Sequence, residues 1–139
     1  MPPTIRRSGQ RQAAAEVADR LERDRLNLLR LLGDPAAQIA YDRNVPIAQV
    51  PAELFCMWFD DFYHPDSEHF QDAFSIDECA ILAAFHERYR KIRGSLPRYL
   101  GRVADLHSHA AWHALMSAAV DTLWSLGEDP RPGSRGLHR

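Results

Sequence analysis

The run His107-Ser-His109-Ala-Ala-Trp-His113, with Asp105 just before it, gathers three of the seven histidines into one short stretch. His109 and His113 are four apart, so a helix through both would set the two imidazoles one turn apart on one side. That spacing can hold a transition metal, but a site needs a third ligand. The HExxH pattern is absent, because Ala110 stands where its glutamate would be. The simpler reading is a pair of histidines bordering a buried stripe at a helix start. The alternative is a metal-binding helical bundle, or a metal-dependent enzyme, in which His109 and His113 are joined by acids from the segment carrying Asp60, Asp61 and His64.

A second group is Asp60-Asp61-Phe-Tyr63-His64, followed by Asp66, Glu68, His69 and Asp72. Paired carboxylates beside a histidine can bind Mg²⁺ or move protons. Repulsion between Asp60 and Asp61 would raise one pKa if both were buried. Helical phase instead puts them opposite an aromatic face, which predicts exposure. The expectation is therefore a recognition surface of Asp60, Asp61, Tyr63, Asp66, Glu68 and Asp72, with Tyr63 as an amphipathic anchor among acids.

The third group, Phe85-His-Glu-Arg-Tyr89, contains no nucleophile. Arg88, Arg90, Lys91 and Arg93 after it read as a solvated helix end, where a phosphate site would rest on charge alone. Cys56 and Cys79 stand 23 apart, without CxxC or zinc-finger spacing, and predict free, partly buried thiols in a reducing compartment. There is no Gly-rich phosphate loop and no G-x-S-x-G. No catalytic residue and no cofactor is expected.

The elements that must position these groups read as helices. Ala14, Val17, Leu21, Leu28 and Leu32 recur at helical spacing between about Gln10 and Leu32, and Gly33-Asp-Pro35 is a stop. Residues 35–43 suit a short helix, and Val45 to Pro51 should be extended between its prolines. Pro51 suits a first turn. Leu54, Phe55, Trp58, Phe59 and Phe62 then form one apolar face, to about Tyr63. Residues 67–74 suit a short turn of helix anchored by Phe70 and Phe74. Ser75-Ile-Asp-Glu78 is a capping box. The helix it opens buries Ile81, Leu82, Phe85, Tyr89 and Ile92 and ends near Gly94. Residues 98–106 are short or irregular. A last helix, about Ser108 to Leu126, turns Trp112, Leu115, Met116, Ala119, Leu123 and Leu126 inward, with Gly127 as its stop. No segment alternates as a strand does.

These elements predict an all-α, single-domain bundle of four main helices plus short ones, with no sheet, over residues 10–127. Residues 1–9 should be disordered and 128–139 a flexible basic tail. The 139 residues, 45% apolar and 26% charged, suit one globular domain with its own core. No apolar run reaches the roughly 20 residues a membrane span needs. Met1-Pro-Pro-Thr-Ile-Arg-Arg has no apolar stretch behind its charges, so no signal peptide is expected and a cytoplasmic location is.

The net charge of -2 conceals a division. Residues 44–87 contain no Lys or Arg and nine acids, while the rest holds all 17 bases against ten acids. Such a block attracts cationic partners and disfavours nucleic acid.

The stretch from Glu53 through Asp60-Asp-Phe-Tyr-His-Pro-Asp66, with Phe70, Phe74-Ser-Ile-Asp-Glu78 and Leu82-Ala-Ala-Phe85, resembles small all-helical bacterial proteins, uncharacterised or of the immunity type that accompanies secreted toxins. The resemblance covers about residues 53–92. It implies a cytosolic inhibitor that caps a partner's active site, and it carries over no binding residue. Together with the acidic block it points to a non-enzymatic protein-binding module that occludes a basic, nuclease-like partner.

Overall fold

The computed structural model describes residues 3–45 and 49–131, with side chains from Gln12 onward. Among these residues the chain is wholly helical: α1 (Pro3–Gly33), α2 (Pro35–Asn44), α3 (Val50–Cys56, continued by a π-helical turn Met57–Phe62), α4 (Glu68–Ala73), α5 (Ile76–Ser95), α6 (Val103–His107) and α7 (Ala110–Ser125). The expected all-α bundle is what the chain forms.

α7 is the hub, with α1 and α5 packed along it. Its Trp112, Leu115, Met116, Ala118, Ala119 and Leu123 are buried, as the spacing predicted for all but Ala118. Gly33 lets the end of α1 approach α7 closely: a Cβ there would lie 3.1 Å from Val120 Cγ2 and 3.6 Å from Ala119 Cβ. α7 ends in a Schellman turn. Gly127 takes φ +79°, the Glu128 amide donates to the Leu123 carbonyl (2.8 Å), and the Gly127 amide to that of Trp124 (3.0 Å).

α1 starts at Pro3 rather than near Gln10, and so takes in part of the stretch expected to be disordered. Pro3 suits a first helical turn and no proline follows until Pro35. At 31 residues it runs about 46 Å, against about 24 Å for the 16 residues of α7. Ala14, expected in the stripe, is exposed. Leu28, Leu29 and Leu32 carry the burial. Asp34 then caps α2, its carboxylate accepting from the amides of Ala36 (2.9 Å) and Ala37 (3.2 Å). Val45 is extended, as expected, residues 46–48 of that stretch lie outside the described ones, and its end is not extended, because α3 already begins at Val50.

The capping box at Ser75 is present in both directions: Ser75 Oγ accepts from the Glu78 amide (3.1 Å), and the Glu78 carboxylate from the Ser75 amide (2.9 Å). α5 passes through Gly94 and stops at Ser95, because Pro97 forces Leu96 into extended backbone. Asp129, within the expected tail, is held against α1. Arg30 donates twice to the Asp129 carbonyl (3.1 and 2.9 Å), tying that turn to α1. Residues 132–139 lie outside the described ones.

Candidate functional site

The acids rest on a platform of rings. Trp58 is fully buried, with Phe62 at 5.1 Å and Phe85 edge-on at 4.9 Å. Phe70 and Phe74 close the platform from α4, 4.8 Å apart. The π-helical turn decides what faces out. Its amide bond from Tyr63 to the Trp58 carbonyl (2.9 Å) spans five residues, and this brings the Tyr63 ring back over Trp58. Tyr63 stacks on Trp58 (5.4 Å, 10°) and on His86 (4.3 Å, 23°), with Phe70 edge-on at 5.5 Å. It is half-buried, and burial first, then the charges of Cys79, Glu87 and Asp66, pushes its phenol above the usual value. Tyr63 is thus seated by its ring on Trp58 and His86 while remaining partly exposed.

The other five expected contacts are exposed: Asp60 and Asp61 on the π-turn, Asp66 in the following turn, Glu68 and Asp72 one helical turn apart on α4. Among the described residues none of the five is ion-paired with an arginine or lysine. His64 Nε2 donates to the Asp60 carbonyl (2.6 Å), closing the π-turn. Asp61 also borders a groove of about 290 Å³ between α1 and the π-turn, floored by Leu28, Leu31, Met57 and Phe62 and rimmed on the far side by Asp24.

Two members of the acidic block do pair with cations. Glu87 meets Arg90 at 3.0 Å on the surface. Glu78 meets Arg25 at 2.8 Å, and Arg25 is only 6% exposed. Arg25 falls on the buried stripe of α1, four after Leu21 and three before Leu28. Its guanidinium lies 5.3 Å from the Phe74 ring and 3.7 Å from Glu128, and its Nε has no hydrogen-bond partner. Burial pushes the Glu78 carboxyl up, but the bonds from Ser75 and Arg25 outweigh it and hold the group below its ordinary value.

Within the histidine run, His107 and His113 have ring centres 6.4 Å apart. α7 starts at Ala110, so His109 is an extended cap residue and is not one helical turn from His113 on a shared face. His113 Nε2 donates to the His107 carbonyl (2.6 Å), and His107 Nε2 to Gln38 Oε1 (2.7 Å). Among the described residues no group of three or more His, Cys, Asp or Glu is placed to hold a metal ion. The metal site expected as the alternative at His109 and His113, completed by acids near Asp60, is therefore not assembled. Cys56 and Cys79 are free thiols, both half-buried.

Gln38 is the polar centre that the sequence reading missed. It is fully buried and uses its whole hydrogen-bonding capacity. Nε2 donates to the last-turn carbonyls of Leu31 (2.9 Å) and Leu32 (3.1 Å), while Oε1 accepts from Trp112 Nε1 (3.0 Å) and His107. One amide thus joins α1, α6 and α7.

Comparison with protein families, curated proteins and solved structures finds no match to this chain. Among the described residues no helix is long and apolar enough to cross a membrane.

Proposed function

We propose that this protein is a non-enzymatic binding module of the immunity type. It docks its acidic face on a basic protein partner and occludes that partner's working surface. The contacts are Asp60, Asp61, Tyr63, Asp66, Glu68 and Asp72, with the Tyr63 ring seated on Trp58 and His86. The observation that carries the reading is the exposure of these five carboxylates, unpaired with arginine or lysine among the described residues, on a base of packed rings. A packed base limits the motion lost on docking, and unpaired acids need shed no cation of their own first. The groove beside Asp61 adds an apolar socket with carboxylates on two sides, suited to a lysine or arginine stem with its cationic tip.

A partner of this kind is built to hold phosphates, so it presents the charge that the face attracts. The chemistry is steric and electrostatic, with no bond made or broken. The test begins with capture from the source cell and identification of the bound basic protein. Its association rate is then measured with the protein and with an Asp60→Lys, Asp61→Lys double variant. The double variant should associate more slowly, and the deficit should shrink as salt rises.

A further inference from the structure

The far end of α5 has the opposite character. A cleft of about 500 Å³ lies there between the first turns of α3 and the segment after α5, lined by Phe55, Arg90, Arg93, Leu96, Arg98 and Tyr99 among others. Its size falls in the usual range of small-molecule sites, about 300–1,000 Å³.

The three arginines differ. Arg90 is neutralised by Glu87. Among the described residues Arg93 and Arg98 have neither a carboxylate partner nor a protein hydrogen-bond acceptor. The Arg93 guanidinium lies 5.1 Å from the Phe55 ring centre and 5.3 Å from that of Phe59, so two rings hold its plane while its N–H groups have no protein acceptor. Arg98 lies 5.9 Å from the Tyr99 ring, which is 79% exposed. A pair of guanidinium forks without acceptors, beside an exposed ring, matches an anion joined to a planar group.

Three features oppose an anion there: the Asp60 carboxylate beside Cys56, and two that are muted. The carbonyls ending α5 carry partial negative charge. Ser95 Oγ donates to the Ile92 carbonyl (2.8 Å) and the Leu96 amide to that of Arg93 (3.2 Å), which satisfies two of them. Cys56 lines the same cleft, but burial first, then Asp60, pushes its thiol up, so it stays protonated at neutral pH and adds no charge.

We propose that this cleft binds a small phosphorylated ligand bearing a planar ring, of the nucleoside monophosphate class, with Arg93 and Arg98 on the phosphate and Tyr99 against the base. The site borders the acidic docking face, because Cys56 in its lining lies beside Asp60, but the ligand contacts proposed for it are other residues.

The test is calorimetric titration of the full chain with the four common ribonucleoside monophosphates, their free nucleosides and inorganic phosphate. At least one monophosphate should saturate, about tenfold or more tighter than its nucleoside and than inorganic phosphate. Arg93→Gln and Arg98→Gln should each weaken it about tenfold, and Tyr99→Ala should weaken it too. Arg20→Gln, an exposed arginine on α1, should not. Thermal melts of the variants, all at exposed positions, check that the fold is intact. Absence of saturation by any monophosphate up to about 10 mM would overturn the proposal. So would equal binding of nucleoside or inorganic phosphate, or unchanged affinity in both arginine variants.

Discussion

Gln38 and His86 show how single polar side chains order this interior. A buried amide that satisfies two carbonyls, an indole and an imidazole leaves several groups stranded if it is removed. Gln38→Leu is expected to destabilise the fold by roughly 2–4 kcal/mol, read as a lower urea midpoint. A shift within about 0.5 kcal/mol would show that the junction repacks without it. His86 accepts from Trp58 Nε1 at Nδ1 (3.1 Å), so its neutral form carries the proton on Nε2. Protonation would set two N–H groups against each other. Burial accordingly holds this imidazole below its ordinary value, with Glu87 opposing and Arg90 assisting. A depressed folded pKa contributes stability that is present above about pH 6.5 and is lost as pH falls through the folded value. The urea midpoint should therefore drop between about pH 7 and pH 5.5, and His86→Gln should flatten that drop. Equal pH slopes in both proteins would contradict the assignment.

At the scale of elements, Arg25 and Glu78 couple α1 to the start of α5. Removing one partner of such a pair leaves the other desolvated, so Arg25→Ala should cost about 3 kcal/mol. Arg25→Met keeps the volume and removes the unpartnered Nε, and should cost clearly less. The Glu78 carboxyl is held below its ordinary value, so its contribution is present above about pH 4.5 and lost as pH falls through the folded pKa. Urea melts of both variants at pH 7, and of the parent protein down to pH 3.5, measure these effects (about 4.5 being the crossover). Equal losses in the alanine and methionine variants would show that packing, not charge, is what Arg25 provides.

Elements were also where the sequence was most legible. The stripes of α5 and α7, the capping box at Ser75 and the stop at Gly127 follow from periodicity and local hydrogen bonding, which act over a few residues. Arg25 escaped because the charge of a side chain says outside while its register says inside. Its spacing from Leu21 and Leu28 was the available signal. Gln38 gave none, since ten residues of α2 with one buried position define no phase. The π-turn is also silent in sequence, and it lays the Tyr63 ring over Trp58. The exposure of Asp60 and Asp61 was readable from helical phase. The separation of His109 from His113 was not, because it turns on where α7 begins.

Over the whole molecule, charge is sorted along α5. Asp77 and Glu78 open the helix, and Arg93 closes it about 23 Å away. Each end suits the helix dipole: α4 leads into the acidic start and Arg98 follows the basic finish, while the π-turn packs beside the second half of α5, Phe59 lying against His86, Tyr89 and Arg93. The central claim belongs to the acidic face. Its most direct test is the association rate of the captured basic partner with the protein and with the Asp60→Lys, Asp61→Lys variant, at about 0.02 M and about 0.15 M salt. A rate roughly tenfold lower in the variant at low salt, with the gap narrowing at the higher, is the predicted result. Identical rates for the two proteins at both salt concentrations would contradict the claim that this face is where the partner docks.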